Sequence, residues 1–182
     1  FLARVRPELA VKSSKGGAWK DRKGIMWVDP GAKEAWDYTL AIAHSAYEAG
    51  FDEINFDYVR YPSDGDVSLV RYDYSKPEEG DHATHLKNFF VYLHQDLATR
   101  GIPHSVDLFG MTLTNTDDLN IGQVLENALP YFDYVSPMIY PSHYPKGWNG
   151  YANPAEMPYE VMTYALARGV ERALAASSTP SK

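Results

Sequence analysis

Short apolar runs alternate with amphipathic stretches along most of this chain. The run "GIMWVDP" (24–30) ends on a turn signal and predicts a buried strand. It is followed by a stretch in which Trp36, Leu40, Ala43 and Tyr47 recur at helical spacing, with Gly50 at the expected stop. "FDEINFDYV" (51–59) predicts the second strand. After a long loop, Leu86, Phe89, Phe90, Leu93 and Leu97 mark one face of a helix closed by Gly101. "IPHSVDLFGMTL" (102–113) predicts the third strand. The next stretch places Ile121, Val124, Leu125, Ala128 and Leu129 on one helical face, stopped by Pro130. "FDYVSPMIYP" (132–141) predicts the fourth strand, and Met162, Leu166 and Val170 align on a final helix.

Strand–helix alternation repeated four times implies an α/β fold with a parallel sheet. Right-handed crossovers leave two architectures, an open doubly wound sheet or a barrel. A closed (β/α)8 barrel takes about 250 residues, so four units make about half of one. The expectation is a partial (β/α)8 TIM barrel filling 1–182 as a single domain. Residues 1–23 are its loop-rich lead-in and 176–182 a disordered tail. A chain of that kind, starting on Phe1, reads as a piece of a longer one.

The polar residues sharpen this picture. In both architectures ligands bind at the carboxyl ends of the strands. The predicted strands end on Asp29, on Asp57, near Asp107, and on Tyr140 followed by Ser142 and His143. Side-chain alternation sets Ile54 and Phe56 on one face and Asn55 and Asp57 on the other. It likewise opposes Val106 and Leu108 to Ser105 and Asp107, and Val135 and Ile139 to Ser136, Met138 and Tyr140. The apolar sets suit packing against helices and the polar sets suit a barrel mouth. Asp29, ahead of Pro30-Gly31 and a helix, suits turn or N-cap duty. Two carboxylates at adjacent strand ends fit glycosidic hydrolysis, one ionised and one protonated. Asp57 and Asp107 are therefore the candidate catalytic pair, with Tyr58 and Arg60 placed to orient and tune Asp57. Either carboxylate could equally serve structure, Asp57 by pairing with Arg60 and Asp107 as a buried strand-end group.

Composition adds limits. The chain has 14 Tyr, 7 Phe and 4 Trp, several in loops such as "YPSHYPKGWNGY" (140–151). Tyr140, His143 and Trp148 are candidates to contact sugar there, with Asn55 on the strand. A net charge of -7 argues against a nucleic-acid partner. No apolar run is long enough to span a membrane. The absence of Cys removes disulfide and thiolate chemistry. His82 and His85 in "HATH" lack a third ligand for zinc and read as solvated helix histidines. No phosphate loop or serine elbow occurs, and neither a metal nor an organic cofactor is implied.

The stretches "AWDYTLAIAHSAYEAGFDEINFDYVRYPSDG" and "DYVSPMIYPSHYPKGWNGYANPAEMPYEVM" resemble a bacterial family described as a "putative glycosyl-hydrolase domain", a family of unknown function. "PELAVKSSKGGAWKDRKGIMWVDPG" is similar to its preceding stretch, so the resemblance runs from about Pro7 to Arg172. It implies a (β/α)8 barrel distantly similar to α-amylase-type and chitinase-type glycosidases. It also implies about two further units on each side, which makes the strands here the third to sixth. Asp57 then matches the fourth-strand nucleophile of amylase-like barrels. Asp107 matches their fifth-strand acid/base, where glutamate is usual and this chain has a side chain one methylene shorter. The implied function is hydrolysis of O-glycosidic bonds in a polysaccharide, at an extracytoplasmic or cell-envelope site. The rival readings are a non-catalytic carbohydrate-binding barrel and an open doubly wound small-ligand domain; the oligomeric state is left open.

Overall fold

A computed structural model describes residues 1–177. The first of them form a short helix α1 (Leu2–Val5) and a short strand β1 (Lys12–Ser13). Helix α2 (Lys33–Glu48) leads to strand β2 (Ile54–Phe56), and a two-residue strand β3 (Val70–Arg71) pairs antiparallel with β1. Then come α3 (His82–Thr99), β4 (His104–Phe109), α4 (Leu125–Ala128), β5 (Tyr134–Met138) and α5 (Pro158–Ser177).

The central sheet is parallel, three-stranded and ordered β2-β4-β5. Its two crossovers carry α3 and α4. The apolar sets foreseen from side-chain alternation do pack against helices. Ile54, Phe56, Val106 and Leu108 share one core with Trp36 and Leu40 of α2, Leu86, Phe90, Leu93 and Leu97 of α3, Leu125 and Ala128 of α4, and Ala165 of α5. Burying each of the larger of these side chains stabilises the fold by about 1.5–3 kcal/mol. The opposite face of the sheet is open: Asn55, Tyr134 and Ser136 are exposed there. A parallel sheet is ordinarily covered on both faces, so this half-covered sheet departs from a doubly wound arrangement.

Helix α3 forms where its pattern says it should. The Asp81 carboxylate caps it by accepting from the Thr84 N–H at 2.8 Å, and Gly101 beyond its end takes a left-handed φ of 67°. Other expectations are corrected. Residues 24–30 form no strand of the central sheet; they make isolated antiparallel bridges, Val28 with Ala10 and Met26 with Lys20. The stretch 51–59 is strand only over Ile54–Phe56.

The helix expected within 116–130 shrinks to four residues. Leu119, Asn120 and Gly122 take left-handed backbone that no α-helix holds. A Cβ on Gly122 would meet the His82 carbonyl oxygen and the Tyr61 ring at 2.9 Å, so close packing sets that break. On α5 the buried stripe is Val161, Ala165 and Gly169, while Met162, Leu166 and Val170 are exposed. The small residues win because that face lies against Leu113, whose Cδ2 would stand 2.7 Å from a Cβ on Gly169. The lead-in is more than loop, since it buries Leu9, Val11 and Trp19. Of the expected tail, 176–177 are helical and the remainder lies outside the described residues.

Candidate active site

The site begins with strand register. β2 and β4 pair Ile54 with His104, Asn55 with Ser105 and Phe56 with Val106. β2 ends at Phe56, so Asp57 follows directly after the strand; continued by one step, the register would bring it opposite Asp107. β4 and β5 pair Asp107 with Ser136. Asp107 and Ser136 therefore lie side by side near the carboxyl-terminal end of the open face. Asn55 Nδ2 donates to Asp107 Oδ1 at 3.1 Å.

Asp57 is exposed, and its Oδ1 accepts from the Tyr58 N–H at 2.6 Å. Tyr58 has a φ of 56°, left-handed backbone that a β-carbon disfavours by about 1–2 kcal/mol. This turn ends the strand and lifts the chain toward Arg60. Arg60 lies between two rings, 5.0 Å from the Trp27 centroid and 5.5 Å from that of Tyr58. Its Nη1 donates to the Tyr61 carbonyl and to Ser63 Oγ, both at 3.1 Å. Burial, chiefly, lowers the guanidinium from its ordinary value, against the opposing pull of Tyr58, Asp64 and Asp57. Among the described residues Arg60 makes no ion pair, with Asp57 or any other carboxylate. Asn55, Asp57, Tyr58, Arg60 and Trp27 all line a groove of 590 Å³ beside β2, whose other end is apolar, with Tyr38, Ile42 and Phe51.

Two supports hold this corner. Gln123 is fully buried and bridges the ends of both strands, accepting from the Phe109 N–H at 2.8 Å and donating to the Val59 carbonyl at 3.0 Å. Asp29 is also fully buried. It accepts from the N–H groups of Gly31 at 3.0 Å and Tyr74 at 2.9 Å, and from Ser75 Oγ at 2.6 Å. Asp29 thus fastens two loops together, the turn duty its sequence context suggested, and does not end a strand of the sheet. Tyr61 donates to Ser75 Oγ at 2.7 Å, and burial raises its phenol above the ordinary value.

The histidines of "HATH" are not both solvated: His85 is buried and His82 half-buried. His82 stacks on Tyr61 with ring centroids 3.9 Å apart, and buried His85 donates from Nε2 to the Lys76 carbonyl at 3.1 Å. Among the described residues no cluster of three His, Cys, Asp or Glu is placed to hold a metal ion.

At the end of β5, Tyr140 and His143 lie 5.0 Å apart between ring centroids, and His143 lies 6.1 Å from Phe109. They form an aromatic rim there. Trp148 belongs to a separate group, 4.5 Å from Tyr144 and 5.5 Å from Tyr164 of α5. There it packs the loop onto the helix, while burial pushes the Tyr144 phenol up to about 12. The structure thus brings Asn55, Asp57, Tyr58 and Arg60 together along one groove, with Asp107 bonded to Asn55, sets Tyr140 and His143 at the end of β5, and leaves Trp148 in the loop cluster. Trp27 and Gln123 went unseen in the sequence. Trp27 was read as strand core, and a lone glutamine gives no sign of bridging residues 59 and 109.

The family described as "Putative glycosyl hydrolase domain" matches residues 1–180. A solved structure described as that of a hypothetical protein from Ruminiclostridium thermocellum ATCC 27405 is similar at 36% identity with a TM-score of 0.52. The match covers 58% of this chain and 51% of that one. No curated protein matches.

Proposed function

We propose that this chain, which belongs to the family described as a "putative glycosyl hydrolase domain", hydrolyses O-glycosidic bonds of a polysaccharide through Asp57 and Asp107. The observation that supports the reading is the β2–β4 register, which pairs Phe56 with Val106, the residues just before Asp57 and Asp107. Retaining glycosidases hold their two carboxyls about 5–5.5 Å apart and inverting ones about 6.5–9.5 Å apart.

Asp57 would attack the anomeric carbon as its bond to the leaving oxygen breaks, while Asp107 gives that oxygen a proton. Asp107 would then take a proton from water as the water displaces Asp57. Asn55 holds Asp107 Oδ1, which leaves Oδ2 to face the leaving oxygen. Tyr140 and His143 supply ring faces for a neighbouring sugar, and Trp148 would extend that rim from its loop.

The fold belongs to the same proposal. Helices on one face and an exposed, polar opposite face support an arc of a glycosidase-type barrel. Further strand–helix units would complete it. An extracytoplasmic site rests on the family resemblance alone.

The test is release of reducing ends from a panel of polysaccharides. Asp57→Asn should reduce turnover by about 10³-fold or more while glycan binding persists. Binding with no turnover by the unaltered protein would instead support a non-catalytic carbohydrate-binding barrel.

A further inference from the structure

We infer that the sugar recognised at this site is acidic, and that Arg60 takes its carboxylate. The inference rests on the glycan reading of the site and adds the substrate class. Arg60 carries five N–H donors in a rigid plane. Nη1 is spent on the Tyr61 carbonyl and Ser63 Oγ. Among the described residues Nε and Nη2 have no hydrogen-bond partner, and no carboxylate oxygen lies within ion-pair distance of the group.

The rings of Trp27 and Tyr58 lie against the guanidinium, which leaves its donor edge for a ligand. A planar carboxylate meets such an edge through two parallel hydrogen bonds, a geometry a lysine cannot offer. The group lines the same groove as Asn55 and Asp57, so a ligand on Arg60 lies beside the candidate nucleophile. Burial disfavours its charge, Tyr58, Asp64 and Asp57 offset that only in part, and among the described residues no carboxylate pairs with it. An anion arriving with the substrate would.

The plainer reading is that Arg60 fastens its loop. Nη1 alone does that, and the remaining two nitrogens are surplus to it. The other shielded arginine, Arg172, is treated differently, with a carboxylate across its fork. A hexuronate, a sugar bearing a carboxylate at C6, is the ligand class that fits a glycan groove with one stacked, unpaired guanidinium.

The test is calorimetric binding by the full chain carrying Asp57→Asn, which keeps oligosaccharides intact. The probes are trigalacturonate and triglucuronate, their methyl esters, and neutral trisaccharides. The free acid of at least one should bind about 10- to 100-fold tighter than its ester. Arg60→Met should abolish that preference and Arg60→Lys should keep part of it. Equal binding of acid and ester overturns the inference, as does a preference that survives Arg60→Met. The comparison of acid with ester uses one folded protein, so it does not depend on how the Arg60 variants fold. Acid preference without hydrolysis would sink the glycosidase reading and leave the assignment of Arg60 standing. Asp57-dependent hydrolysis of a neutral glycan without acid preference would do the reverse.

Discussion

Arg172 and Arg60 are both drawn out of water, one on the helix-covered side of the sheet and one at its open rim. Arg172 on α5 donates from Nε and Nη2 to the Glu126 carboxylate at 2.7 and 2.5 Å, and from Nη1 to the carbonyls of Thr112 and Asn115 at 2.5 and 2.6 Å. Its partners lie in the turn after β4 and in α4, so one side chain ties three segments together. Arg60 uses one nitrogen and two ring faces, and among the described residues its side-chain hydrogen bonds and ring contacts are with residues 27, 58, 61 and 63. The protein completes the first group and leaves the second incomplete. Unpaired donors at the rim of the sheet, beside a groove, are what the proposed ligand would satisfy.

The contrast between the covered and open sides can be broken in three places. The largest effect belongs to the covered side: Phe90→Ala should lower stability by about 3–5 kcal/mol, read as a fall in urea midpoint, because Phe90 is fully buried between α3 and the sheet. A loss under about 1 kcal/mol would show that the helix layer does not act as a core. Next, Arg172→Met should cost about 2 kcal/mol, since Glu126 is part-exposed and only partly deprived of water by the pairing.

That variant should also flatten the acid limb of the stability profile. Burial is the largest single influence and would raise the Glu126 carboxyl, but the hydrogen bond from Arg172, a backbone hydrogen bond and the charge of Arg172 together outweigh it and hold the group below its ordinary 4.5. The pair's stability is therefore present above that pH and fades as pH falls through the lowered value. The smallest effect on folding should be that of Arg60→Met, within about 1 kcal/mol of the unaltered protein. A loss as large as that of Arg172→Met would make Arg60 a structural arginine and erase the contrast.

Much of the covered side was legible in the sequence, for a physical reason. In α3 one apolar stripe faces one core, and in β2 and β4 side-chain alternation forces apolar and polar sets apart, so pattern and burial agree. On α5 the pattern offered two stripes. The larger side chains of Met162, Leu166 and Val170 suggested the wrong one, because hydrophobicity ranks residues by area while the neighbouring turn demanded small ones. The run 24–30 has strand composition, but its partners are residues 10 and 20, whose pairing no local pattern reports. Of the site, Asp57, Asp107 and Asn55 could be read from strand parity. The ring contact of Trp27 with Arg60 and the bridge made by Gln123 are tertiary, joining positions 33 and 64 residues apart in the widest cases. The loss of an expected Arg60–Asp57 ion pair has the same origin, since the turn at Tyr58 points the two side chains to different neighbours.

The left-handed turn at Tyr58 has a consequence for how this protein can change. Glycine would hold that backbone with less strain, so any selection for stability alone drives the position toward glycine. Glycine would also remove one of the two rings against which Arg60 lies. Tyr58→Gly should therefore recover about a kilocalorie of stability and, on the proposed role of Arg60, weaken recognition of an acidic ligand.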